Sequence, residues 1–148
     1  MTTPKYYKKF IYTITIFMIS LSGFAQMPIF KRYYIADIPG LGWLAQFYVT
    51  HLIHYIAAMV LIAFTTYVLL DFILKRSNLN KVTTSGYFKI AALSGLIITG
   101  GLMVVRNLPG VYFAHQFIIA LNVIHLGLCM MLIMASMYTM FLKKSWVR

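Results

Sequence analysis

Apolar residues fill four long stretches of this chain, 10–27, 41–74, 88–105 and 111–142, and polar residues collect almost wholly between them. About 20 apolar residues in a helix cross a hydrocarbon core of about 30 Å, so each stretch is long enough, or nearly so, to span a bilayer. The breaks carry helix-stopping residues: Pro28, then Pro39 with Gly40, then the polar segment from Lys75 to Lys89, then Asn107 to Gly110. The pattern predicts an all-α integral membrane protein, one domain in which four helices with short loops form a bundle. The second and fourth stretches would run roughly 45 to 50 Å as helices, so they tilt or project beyond the membrane.

Composition agrees with that class. With 61% hydrophobic residues, 10% charged residues and a mean hydropathy of +0.83, the chain is far from an ordinary soluble domain. Thirteen Lys and Arg against two acidic residues give a net charge of +11, which in a soluble protein would point to nucleic acid. Here the basic residues fall in short clusters between apolar runs, where the positive-inside rule and anionic headgroups account for them. Lys5, Lys8 and Lys9, the loop with Lys75, Arg76, Lys81 and Lys89, and the tail with Lys143, Lys144 and Arg148 then lie inside. Only Lys31, Arg32 and Arg106 lie outside, so both termini are expected in the cytoplasm. Tyr33, Tyr34, Trp43 and Tyr112 would sit in the outer aromatic belt, and Tyr6, Tyr7 and Trp146 in the inner one. The basic start, with Gly23 and Ala25 before Gln26, also has the form of a secretory leader, whose removal would leave three helices in the same orientation.

The chemistry of the chain is concentrated in its histidines. His51 and His54 fall on the second helix, His115 and His125 on the fourth, and all four lie in the outer half of the membrane. Imidazole is costly to bury in lipid, and two such pairs on two helices suit haem iron held between helices. Counted from the inner ends of their helices, His54 and His125 differ in height by about 4 to 5 Å, and His51 and His115 by about 6 Å. Either pair is close enough to bracket an iron, so one or two haems fit, with the remaining histidines free to hold a quinone or a propionate. A histidine in a membrane helix also serves as an interhelical hydrogen-bond donor or headgroup anchor, and His115, near its helix start, has an anchor's position. Zinc is disfavoured, because the outer half offers Asp37 as its one carboxylate, and Cys129, the only cysteine, lies within an apolar run. The single cysteine also excludes an intrachain disulfide, a Cys-ligated cluster and covalent c-type haem.

Other features are secondary. Ala91, Gly95 and Thr99, followed by Gly100 and Gly101, form a small-residue stripe that lets a neighbouring helix or a flat macrocycle approach. Met130, Met131, Met134, Met137 and Met140 lie toward the cytoplasmic side, facing lipid or filling gaps. Asp71 is expected to pair with Lys75 or Arg76, with proton uptake for a quinone as a further role. Arg106, Lys31 and Arg32 are placed to neutralise haem propionates or meet an acidic partner, Arg106 the better placed.

The segments MPIFKRYYIADIPGLGWLAQFYVTHLIHY (27–55) and RNLPGVYFAHQFIIALNVIHLG (106–127), with histidines on the second and fourth of four helices, give the chain a likeness. It resembles the membrane cytochrome b subunits of bacterial respiratory oxidoreductases, such as the gamma subunit of formate dehydrogenase and the cytochrome b of nickel-iron hydrogenases. That resemblance implies haem b on His51, His54, His115 and His125. It also implies electron transfer between a menaquinone or ubiquinone pool and an iron-sulfur or multihaem subunit docked on the outer face. One departure bears on the second haem and on the quinone position: the formate dehydrogenase type draws a ligand from its first helix, which here contains no His. A haem-free membrane anchor of a redox complex would use the same helices. No catalytic triad, phosphate loop or nucleic-acid module is present, so independent catalysis is not expected.

Overall fold

In a computed structural model of the chain, residues 5–27, 33–74 and 82–142 are described. They form four long α-helices: α1 (Lys5–Ala25), α2 (Phe47–Leu74), α3 (Thr84–Arg106) and α4 (His115–Phe141). No strand forms among them. Three of the helices, α2, α3 and α4, are long and apolar enough to cross a membrane; α1 has 21 residues and is more polar. The chain divides into two compact units, Met1–Arg76 and Ser77–Arg148. Each unit is an antiparallel helical hairpin, α1 with α2 and α3 with α4.

Helix ends follow local chemistry more closely than the apolar runs do. α1 starts at Lys5, so Lys8 and Lys9 join the helix, as straight-chain residues do at little cost. Residues 41–46 do not belong to the second helix. Pro39 and Gly40 occupy a turn closed by the Leu41 N–H on the Ile38 carbonyl at 2.9 Å, with Gly40 at φ +88°, a backbone state that favours glycine. A 3₁₀ turn (Gly42–Ala45) follows, and α2 begins only at Phe47. α3 starts four residues before the expected Phe88, because the Thr83 hydroxyl caps it, accepting from the Gly86 N–H at 3.1 Å. Before α4, Pro109 and Gly110 (φ +79°) repeat the Pro-Gly turn, with the Val111 N–H on the Leu108 carbonyl, so α4 begins at His115 rather than Val111. The 28 and 27 residues of α2 and α4 correspond to about 42 and 40 Å, shorter than the apolar runs suggest and still longer than the bilayer core.

The packing is that of helices meeting in an apolar solvent. Among the described residues buried positions are few, and many are small or hydroxylic, such as Thr15, Ser22 and Ala25 on α1, Thr50 and Ala57 on α2, Ala92 and Thr99 on α3 and Thr139 on α4, beside leucines such as Leu61, Leu93, Leu121 and Leu132 and the lysine Lys89. Large side chains such as Leu52, Met59, Ile98 and Val123 point outward. Lipid tails are as apolar as leucine, so the helices gain by close approach and interhelical hydrogen bonds rather than by hiding hydrophobic surface. The five methionines of α4 are exposed, as expected of lipid-facing residues.

Asp71 has a partner beyond its own helix. Its carboxylate pairs with Lys8 of α1 at 3.3 Å, and the Lys8 ammonium also lies 4.8 Å from the centroid of the Tyr67 ring. The pair ties the far ends of α1 and α2 together, across the hairpin rather than along one helix. Lys75 and Arg76, the expected partners, lie outside the described residues, as do Lys31, Arg32, Lys81, Lys143, Lys144, Trp146 and Arg148.

Candidate functional site

The chemistry begins with the hydroxyls. Ser22, fully buried, donates to the carbonyl of Met18 at 2.7 Å, one turn back on its own helix, with the Ile19 carbonyl at 3.2 Å. Thr99 does the same on α3, donating to Gly95 at 2.7 Å with Leu96 at 3.2 Å. Such back-bonding commits the single hydroxyl proton to the helix and leaves oxygen lone pairs facing the neighbouring helix. A histidine nitrogen meets those lone pairs in each hairpin: His54 Nδ1 lies 3.2 Å from Ser22 Oγ, and His125 Nδ1 lies 2.7 Å from Thr99 Oγ1.

These contacts bear on which ring nitrogen carries the proton. His54 Nδ1 is also 3.0 Å from the Ile19 carbonyl oxygen, which can only accept, so the proton sits on Nδ1. His125 meets Thr99 instead. The threonine Oγ1 is 2.7 Å from the Gly95 oxygen, which only accepts, and a threonine proton directed there makes Oγ1 an acceptor for His125 Nδ1–H. In both rings the lone pair is left on Nε2. This is the tautomer in which histidine binds metal, with its other nitrogen donating to an oxygen that orients the ring.

His51 has the same polarity in a different setting. Its Nδ1 donates to Gln26 Oε1 at 3.1 Å, while Gln26 Nε2 donates to the Ser22 carbonyl at 3.2 Å, so the glutamine bridges α1 and α2. The ring lies between Phe47, stacked at 5.2 Å, and Tyr55, at 4.3 Å. His115 is exposed at the first position of α4. Arg106 is half-buried in the last turn of α3, where the helix dipole favours a cation.

Glycine lies beside both hydroxyls. A Cβ added at Gly23 would come within 3.1 Å of His54 Cε1, and one at Gly100 within 3.5 Å of His125 Cε1. The two hairpins therefore repeat one arrangement in one order. Ser22-Gly23, the Ile38-Pro39-Gly40-Leu41 turn and Ile53-His54 stand in the first hairpin; Thr99-Gly100, the Leu108-Pro109-Gly110-Val111 turn and Ile124-His125 stand in the second. Burial repeats too: Leu61 and Leu132, each seven residues past its histidine, are both buried, as are Thr15 and Ala92, each seven before its hydroxyl.

Of the residues singled out from sequence, His54 and His125 thus acquire matching partners, and His51 acquires Gln26. Ser22, Gln26 and the Ile19 carbonyl were not among them, and Thr99 was read only as a small residue. The repeat of hydroxyl-glycine, Pro-Gly and Ile-His is the signal that marks them. Comparison with protein-family models, with curated proteins and with solved structures gives no match.

Proposed function

We propose that this chain is a membrane b-type cytochrome subunit, with His54 in the first hairpin and His125 in the second as haem b ligands. The observation that carries the reading is the matched setting of the two imidazoles: each has Nδ1 within hydrogen-bond distance of an oxygen of its own hairpin, which favours a lone pair on Nε2, and a glycine alongside. The donor set suits haem, whose iron takes neutral imidazole nitrogens, and the glycines keep bulk away from the rings. Haem, when bound, supplies a one-electron couple. The chain supplies the ligating nitrogens, their orientation and an apolar surrounding that sets exposure and dielectric.

The repeat singles out His54 and His125 as equivalent residues, one in each hairpin. In register with it, the counterpart of His51 is Asn122 and that of His115 is Leu44, so neither has an equivalent in the other hairpin. His51, held by Gln26 between two aromatic rings, and His115, at a helix start, are left for propionate or quinone contact or for a second haem. Arg106 is assigned to a haem propionate. In this reading α1 is a fourth span and both termini are cytoplasmic in a bacterial inner membrane. Electrons pass between a quinone pool and an iron-sulfur or multihaem subunit on the outer face. A pyridine haemochrome assay on the purified, folded protein tests the reading: haem b in stoichiometric amount supports it, and none after haem supply leaves a haem-free anchor.

A further inference from the structure

We propose that Thr99 is the positioning residue of His125, acting as an obligate acceptor that holds the proton on Nδ1 and turns Nε2 outward for ligation. The inference rests on the haem reading for its purpose, but its physical content, the tautomer of one ring, stands apart from it. Thr99 accepts because its own proton is spent on the Gly95 carbonyl, and it lies 2.7 Å from Nδ1, the shortest of the histidine contacts described.

The first hairpin supplies an internal control. There the same task is divided: His54 Nδ1 has the Ile19 carbonyl at 3.0 Å as well as Ser22 Oγ at 3.2 Å. Loss of the serine hydroxyl leaves a backbone acceptor that no side-chain substitution removes, whereas among the described residues His125 Nδ1 bonds to Thr99 alone. The two hairpins therefore respond unequally to equivalent substitutions, although their sequences repeat. Partners of ligating histidines change metal affinity by about ten- to a hundred-fold when removed.

The test uses the full chain in detergent micelles, with ¹⁵N-histidine NMR of the haem-free protein and haem titration of the same samples. In the wild type, His125 is expected to carry its proton on Nδ1. Thr99→Val, close in shape and lacking the acceptor, is expected to shift the His125 tautomer and weaken haem binding by about ten- to a hundred-fold. Thr99→Ser should restore both, and Ser22→Ala should leave the His54 tautomer in place. A wild-type His125 protonated on Nε2, or a tautomer unmoved by Thr99→Val, overturns the proposal; the wild-type measurement decides even if the valine variant fails to fold. Should no form of the protein bind haem, the cytochrome reading fails, and the NMR result alone decides the role of Thr99.

Discussion

The hydroxyl of Thr99 lies 2.7 Å from His125 Nδ1, and the hydroxyl of Ser22 lies 3.2 Å from His54 Nδ1, each from the helix that precedes the histidine's own. A membrane helix gains little from hiding leucines in lipid, so the few polar contacts it makes carry much of its specificity. Here those contacts converge on two of the four histidines in the same geometry.

Gly23 and Gly100 differ in how tightly they meet the rings, and substitution should separate them. Gly23→Ala places a methyl 3.1 Å from His54 Cε1, and the ring, held at Nδ1 by two oxygens, cannot yield without losing them. Haem affinity should fall by about ten-fold or more in a haem titration. Gly100→Ala meets His125 at ordinary contact, 3.5 Å, and should keep haem while gaining up to about 1 kcal/mol of helix stability in thermal unfolding.

Gly95 lets α3 and α4 close upon each other. An added Cβ would lie 2.8 Å from Leu128 Cδ1, so Gly95→Ala forces the flexible end of that side chain to move, a cost that offsets the roughly 1 kcal/mol alanine otherwise gains over glycine in a helix. The clash disappears when Leu128 is shortened. Denaturant titrations of Gly95→Ala, Leu128→Ala and the double variant should therefore show coupling, the alanine at 95 costing less once Leu128 is gone.

The Lys8–Asp71 pair joins opposite ends of the sequence of the first hairpin, yet its side chains remain partly accessible at 28% and 32%. Such a pair should contribute modestly and lose effect in salt. Asp71→Asn is expected to lower the unfolding temperature slightly at low ionic strength and to leave the spectrum of bound haem unchanged. Lys8→Asp with Asp71→Lys should recover the loss.

The four helices were legible in the apolar runs, because length and hydropathy alone decide whether a segment suits lipid. Their starts were not. Residues 41–46 and 111–114 are apolar enough to continue a helix, but Pro39-Gly40 and Pro109-Gly110 turn the backbone first, and Thr83 extends α3 by offering a cap. The histidines stood out as costly groups in an apolar chain, whereas their partners did not. Ser22 and Thr99 are ordinary small residues in sequence, and Gln26 lies near a helix end where polar residues are common. For Asp71 the helix pattern points four residues on, to Lys75, which lies outside the described residues; the antiparallel hairpin also brings Lys8 to it from 63 residues away, which no local spacing reveals.

Orientation can be read from the loops. In a Cys129→Ser background, a cysteine at exposed Tyr112 should react with an impermeant maleimide added outside intact cells, and one at Leu142 only after permeabilisation. The reverse pattern would contradict cytoplasmic termini and invert the assignment of Arg106 to the outer side.

The most direct measurement is a dithionite-reduced minus oxidised spectrum of the purified protein with haem quantified per chain, taken for the wild type, His54→Ala, His125→Ala and His51→Ala. The account predicts a b-type spectrum that is diminished or lost in each of the first two variants and retained in the third. A folded, haem-supplied wild type with no such spectrum, or one that survives undiminished in both His54→Ala and His125→Ala, would contradict it.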